Sequence, residues 1–153
     1  MTIKKLFKLY IDGTDEKAKI IDTSTMVCNA TKTVAKACSL SSVKIYISTK
    51  VIKHLYDKRP AEEFNFLINN LHTIVKYPDD IYKNKDSKRG HFAFVKTFKN
   101  DKYFSSIEVV ENFKVNEILE DVNCIVTCFR MKKEKYLNNY ELMWSWKGDK
   151  PSS

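Results

Sequence analysis

The alternation of apolar and polar positions divides the chain into short segments of strand or helix periodicity. Residues 3–11 and 17–21 are strand-like and flank Asp12-Gly13. An Asp-Gly pair between two such runs predicts a β-hairpin. From residue 26 to residue 38 the apolar positions recur at helical spacing. We therefore expect the first forty residues to form a hairpin and a helix, either as an accessory unit or as an edge of the main sheet.

A strand followed by a helix is predicted between residues 43 and 60. Val43, Ile45 and Ile47 form a β-branched run, and the residues after Ser48 have helical periodicity. On a helical wheel, His54 lies at the border of the apolar stripe. It is either a half-buried histidine that only satisfies a backbone carbonyl or a side chain that faces a cleft. Periodicity alone favours the structural role.

The clearest amphipathic helix of the chain begins after Pro60, and Pro78 ends it. Its apolar positions fall on one face and include Phe64, Leu67 and Leu71. The remaining segments are predicted as strands at 91–98, 103–110, 122–131 and 142–146, a loop or short helix at 108–121, a short helix at 132–139 and a frayed tail at 148–153. The period of two along a strand places Thr127 and Arg130 on opposite faces.

The charge of the chain is strongly positive and unevenly distributed. The formal net charge is +8 and the pI is about 9.2. Residues 81–102 contain seven Lys and Arg against two Asp, whereas residues 108–121 contain five acidic residues against one Lys. Such a surface attracts polyanions, with nucleic acid as the first candidate, although a solubility charge without a partner is the alternative.

Several classes of protein are not supported by the residues. The four cysteines form no C-x-x-C motif and no zinc-ligand spacing, and no phosphate-binding or dinucleotide-binding glycine motif occurs. We therefore expect no metal and no cofactor. Lysines interrupt the N-terminal apolar residues, so neither a signal peptide nor a membrane span is expected, and a reducing cytoplasm is the default location.

A series of short motifs resembles the phage-type nucleases of the barnase–EndoU–colicin–RelE group. The motifs are IYIS (45–48), KHLYDKRP (53–60), IVKYPDDIYKN (74–84), KRGHFAFVKTF (88–98), YFSSIEV (103–109), CIVTCFR (124–130) and LMWSW (142–146). The resemblance covers about residues 41–147 and rests on the order and spacing of these motifs. It implies an α+β fold with N-terminal helices on a four- to five-stranded antiparallel sheet. Residues 1–40 would then be an accessory unit.

The resemblance also implies an activity and a set of site residues. Characterised members of the group are mostly ribonucleases that need no metal, so the expected partner is RNA, with an acidic inhibitor or immunity protein if the protein is a toxin. The family's helix histidine corresponds to His54, its strand lysine to Lys96 and its strand threonine to Thr127. A second histidine of some relatives is replaced here by Arg59.

We add further candidates from charge and position. Together with Lys96, Arg59 and Arg130 are candidates for stabilising charge on the phosphorus during cleavage. The candidates for holding the RNA backbone and bases are Lys58, Lys88, Arg89 and Tyr103. We expect folding to gather the imidazole ring of His54 and several of these cations around one pocket of phosphate size.

Overall fold

The structure, a computed structural model, describes residues 2–85, 91–115 and 117–146. The helices in these ranges are α1 (Ile3–Tyr10), α2 (Lys32–Cys38), α3 (Thr49–Lys58) and α4 (Ala61–Lys76), with a 3-10 helix at Glu134–Leu137. The strands are β1 (Ser24–Asn29), β2 (Lys44–Ser48), β3 (Asp80–Asn84), β4 (Phe92–Phe98), β5 (Asp101–Val115), β6 (Ile118–Met131) and β7 (Tyr140–Ser145). No helix within the described ranges is long and apolar enough to cross a membrane.

The strands form one sheet in the order β1-β2-β6-β5-β4-β3-β7. β2 and β6 run parallel to each other, and the other neighbouring strands are antiparallel. The predicted α+β class is confirmed. The sheet has seven strands instead of four or five, because β1 forms within a segment predicted as a helix and β3 forms where no strand was predicted.

The helices pack against one face of the sheet and form the main core with it. Leu6 of α1, Ile52 of α3 and Leu67 of α4 lie in the same buried cluster as Ile107 of the sheet. A smaller cluster, which includes Val95 and Phe104, lies on the opposite face. Local signals explain α3 and α4 well. The hydroxyl of Ser48 accepts a hydrogen bond from the Val51 N–H at 3.2 Å, as an N-cap does, and α4 begins directly after Pro60.

The predicted N-terminal hairpin is wrong. Residues 3–10 form α1, which is capped by Thr2, and residues 17–21 belong to no strand. The reason is visible in the spacing of the buried side chains, because Ile3 and Leu6 are three residues apart, as on one face of a helix. Leu6 and Ile11 are fully buried in the main core, while the division of the chain at residue 40 stays a prediction.

The single helix predicted for residues 26–38 is also wrong in its first half. β1 continues to Asn29, and α2 begins at Lys32 with Thr31 as its N-cap. β1 pairs with β2, a segment that follows later in the chain. Local periodicity cannot reveal a pairing of this kind, because the hydrogen-bond partner is distant in sequence.

The acidic segment 108–121, predicted as a loop or short helix, forms the ends of β5 and β6. Phe113 pairs with Glu120 across this hairpin, and a register shift lies between Val110 and Phe113. Polar and exposed side chains dominate the segment, so its sequence lacks the apolar alternation of a half-buried strand. The predicted tail at 148–153 lies outside the described residues.

Candidate functional site

A groove opens where β6 separates from β2. The two parallel strands pair only at Ile45 with Asn123 and at Tyr46 with Cys124. Beyond this point α3, instead of β2, lies beside β6. The resulting groove has a volume of about 860 Å³, and we call it the β6 groove. Its lining includes Lys50, His54, Ser106, Glu108, Thr127 and Tyr136.

His54 is exposed and lines the β6 groove. The buried side chains of α3, among them Ile52 and Leu55, lie on the side of the helix that faces the core. Lys50 precedes His54 by one helical turn and lines the same groove, because residues four apart share a helix face. Of the two positions that the sequence left open, the ring of His54 therefore occupies the one that faces a cleft.

Arg59 connects the end of α3 to the middle of β6. Its Nη2 donates a hydrogen bond to Thr127 Oγ1 at 3.1 Å, and its guanidinium carbon lies 5.7 Å from the centroid of the Phe129 ring. Thr127 lines the β6 groove together with His54. Three of the predicted site residues, His54, Arg59 and Thr127, are thus brought to the same part of the molecule.

Arg59 also has a clear structural role. Its Nε donates to the Cys128 carbonyl at 3.1 Å, and Glu63 Oε2 accepts a hydrogen bond from the Arg130 N–H at 3.1 Å. Arg59 and Glu63 themselves form an ion pair at 3.7 Å. These two side chains satisfy backbone groups of β6 where its neighbouring strand has ended, as buried polar groups require.

Lys96 lies in a different groove, which we call the β7 groove. This groove is bounded by the start of α2, the end of α4 and β7, and its lining includes Lys76, Tyr77, Asp79, Lys96, Trp144 and Trp146. Lys96 Nζ forms an ion pair with Asp79 Oδ1 at 3.2 Å. Lys96 is not among the residues that line the β6 groove.

Arg130 and Tyr103 are also separated from His54. They pair with each other across β5 and β6. Their side chains lie on the face of the sheet opposite to Thr127, as the period of two predicted. Tyr103 is only 4% exposed, and its ring stacks on Phe66 with 4.5 Å between centroids. A base cannot stack on a ring that the core already covers.

The last candidates extend away from the groove or lie outside the structure. Lys58 is exposed and forms an ion pair with Glu16 at 3.1 Å. Lys88 and Arg89 fall outside the described residues. The candidate cations for which the structure gives positions are therefore divided among several surfaces, and Arg59 is the one that reaches Thr127.

Sequence reasoning did not single out several residues that line the β6 groove, among them Lys50, Ser106, Glu108 and Tyr136. The spacing of four between Lys50 and His54 was a signal that they share a helix face. Glu108 gave no such signal, because it belongs to the acidic segment 108–121, which was predicted as a loop or short helix. In the part of the chain with described coordinates, no three His, Cys, Asp or Glu side chains lie together as a metal site would require.

Helices on one face of a largely antiparallel sheet, with an exposed histidine over an open groove, are consistent with the class of small nucleases. Residues 25–138 match the model of a family described as phage-Barnase-EndoU-ColicinE5/D-RelE like nuclease 3. The chain belongs to this family, and the resemblance inferred from the motifs is confirmed. The match begins at residue 25, so it includes α2 and all of β1 except Ser24. No curated protein and no solved structure gives a significant match.

Proposed function

We propose that the protein is a metal-independent endoribonuclease that cleaves RNA in the β6 groove. The observation that carries the proposal is that exposed His54 lines the same groove as Thr127, whose hydroxyl accepts a hydrogen bond from Arg59. Membership of a nuclease family supports the choice of reaction. Since a fold alone does not determine a substrate, the choice of RNA rests on the groove and the net charge of +8.

The proposed reaction transfers two protons, forms one phosphorus–oxygen bond and breaks another. A base takes the proton of the 2′-hydroxyl, the 2′-oxygen attacks the phosphorus, and the 5′-oxygen leaves with a proton from an acid. The products are a 2′,3′-cyclic phosphate and a free 5′-hydroxyl. Histidine is suited to either proton transfer near neutral pH, and we assign one of them to His54. Glu108 lines the same groove and is our candidate for the other transfer.

Fixed positive charge near Thr127 would stabilise the phosphorane. Arg59 is held by the Cys128 carbonyl and Thr127, so its guanidinium is already oriented before substrate binds. Lys50 adds a second cation to the same groove. We assign to the Thr127 hydroxyl the role of orienting a phosphate oxygen of the substrate. Lys96 and Arg130 are not assigned to the reacting phosphate, because they lie on other surfaces.

The direct test is to incubate the purified protein with total RNA and with tRNA, with and without EDTA. We expect cleavage that EDTA does not abolish and that leaves 2′,3′-cyclic phosphate ends. Cleavage that requires a divalent metal, or that leaves 5′-phosphate ends, would contradict the mechanism. Repeating the assay in a translating extract would detect a toxin-like enzyme that needs ribosomes to act.

A non-catalytic module that binds RNA or a protein is the second candidate. It is favoured by the structural contacts of Arg59, which already bonds to a backbone carbonyl and lies beside Glu63. This candidate predicts RNA binding that weakens steeply with salt and no cleavage in any of the assays above. The net charge of +8 also suits an acidic inhibitor protein as partner, and the four free cysteines suit a cytoplasmic location.

A further inference from the structure

The β7 groove, about 420 Å³ in volume, has an unusual combination of side chains. Two of its aromatic residues are mostly exposed, with Trp146 at 60% and Tyr77 at 52%. Trp144 lies beside them and packs partly against the main core. Exposed aromatic rings that gather in one groove are a feature of binding surfaces, because each ring leaves a large apolar area in water.

The charge of the β7 groove limits what could bind there. Lys76 Nζ lies 5.7 Å from the centroid of the Tyr77 ring, and no ion pair of Lys76 occurs among the described residues. Lys96 is neutralised by Asp79. The groove therefore offers flat aromatic surfaces beside one available cation, which matches a base and its phosphate.

The two grooves lie on opposite faces of the sheet, and β7 is the edge strand around which one leads to the other. Tyr140, at its first position, lines the β6 groove, while Trp144 and Trp146 line the β7 groove. A register shift between Leu142 and Trp144 changes which side chains face the helices. Since a strand rises about 3.3 Å per residue, the six residues of β7 span about 20 Å. This distance is within reach of a short single strand of nucleic acid.

We propose that the β7 groove is a second RNA-binding site, where a base of a single strand extending from the β6 groove stacks on Trp146 and Tyr77. Lys76 would contact the adjacent phosphate. The site would favour single-stranded over double-stranded RNA, because the bases of a duplex are already stacked and covered. The proposal rests on RNA as the ligand of the β6 groove but does not require that the RNA is cleaved.

The test uses a labelled 2′-O-methyl oligonucleotide of about 12 nucleotides, a length typical of such sites. This probe has no free 2′-hydroxyl, so its binding is measured independently of the proposed reaction. Since stacking of one base is worth a factor of about 5 or more in affinity, we expect Trp146→Ala and Tyr77→Ala each to weaken binding at least about fivefold. Lys76→Gln should weaken binding and reduce its dependence on salt by about one counterion.

Leu9→Ala is the control, since Leu9 is an exposed apolar residue of α1 that lines neither groove. We expect it to bind the oligonucleotide as the parent does. Circular dichroism identifies any variant that fails to fold. Folded Trp146→Ala and Tyr77→Ala proteins that bind with parental affinity would overturn the proposal. The proposal would also be overturned if a proline-rich peptide, but not the oligonucleotide, quenched the fluorescence of the two tryptophans that line the β7 groove. A parent protein that binds the oligonucleotide through this groove but does not cleave RNA would contradict the proposed nuclease function and leave the binding proposal intact.

Discussion

At the scale of single residues, Arg59 combines a structural contact with a proposed catalytic one. It donates to the Cys128 carbonyl and to the Thr127 hydroxyl through different nitrogens. A lysine carries the same charge but has a single donor group, so it cannot reproduce both contacts in this geometry. Substitution of Arg59 therefore separates the effect of charge from the effect of orientation.

We expect Arg59→Lys to lower the rate of RNA cleavage at least about tenfold while costing about 1–2 kcal/mol of stability from the lost hydrogen bonds. The rate is measured under single-turnover conditions, and the free energy of unfolding is measured with urea. Lys58→Met is the control, because Lys58 is an exposed neighbour whose ion pair with Glu16 contributes little. An Arg59→Lys enzyme as fast as the parent would show that Arg59 acts only in the fold.

The cysteine thiols are expected to be unreactive at neutral pH. Burial raises the pKa of Cys28 and Cys124 to about 11 and that of Cys38 and Cys128 to about 12. Because the thiolate is the reactive form, alkylation of the folded protein by iodoacetamide should be slow at pH 7.5 and faster as the pH approaches these values. Rapid labelling at pH 7.5, detected by mass spectrometry, would contradict the described packing of the thiols.

At the scale of elements, α3 is held by the segment that precedes β1. Lys53 Nζ donates to Thr14 Oγ1 at 2.9 Å, to the Asp15 carbonyl at 2.6 Å and to Asp57 Oδ1 at 2.8 Å. The second oxygen of Asp57 accepts the Lys17 N–H at 3.0 Å. Since Lys53 adjoins His54, this cluster fixes the helix that carries the proposed catalytic histidine.

We expect Lys53→Met to destabilise the protein by about 3 kcal/mol, because it leaves Asp57 largely buried without its partner. Replacing both residues, as Lys53→Met with Asp57→Leu, should recover much of this loss. Urea unfolding of the two variants measures the difference. Equal stability of Lys53→Met and the parent would show that the ion pair contributes nothing net.

The same cluster predicts a dependence of stability on pH. Burial raises the pKa of the Asp57 carboxyl, but the hydrogen bonds from Lys53 and the Lys17 N–H and the nearby lysine charges lower it overall below its ordinary value of 3.8. A lowered pKa stabilises the fold above about pH 4, and this contribution is lost as the pH falls through the folded-state value. The stability advantage of the parent over Asp57→Asn should therefore shrink below pH 4, and a constant advantage would contradict it.

Elements with local signals could be predicted from the sequence, and elements defined by distant partners could not. Ser48 and Pro60 mark the starts of α3 and α4, and both helices occur as predicted. That His54 and Thr127 line the same groove was also within reach through the family motifs. The separation of Lys96 from these two residues could not be predicted, because it depends on how the folded sheet and helices form two separate grooves.

At the scale of the whole molecule, the N-terminal residues complete the core. Leu6 and Ile11 are fully buried against the same cluster as α4 and the sheet. Residues 2–24 precede the family match, which begins at residue 25. The core of this protein therefore includes residues that lie outside the range matched by the family model.

Deletion of residues 1–23 tests whether this segment is dispensable. We expect the shortened protein to lose its cooperative thermal transition. The deletion removes α1 and the following segment that bonds to α3, and it exposes apolar surface of the core. Circular dichroism and differential scanning calorimetry measure the effect. A shortened protein that unfolds at the parental temperature would show that the core does not need this segment.

The measurement that tests the central claim most directly compares RNA cleavage by His54→Ala and His72→Ala. His72 is an exposed histidine of α4 that does not line the β6 groove, so it controls for the loss of an imidazole from the surface. Since general acid–base catalysis contributes a factor of about 100 or more, we expect His54→Ala to lose at least that much activity and His72→Ala to keep the parental rate. Equal rates for His54→Ala and the parent would contradict the proposed mechanism.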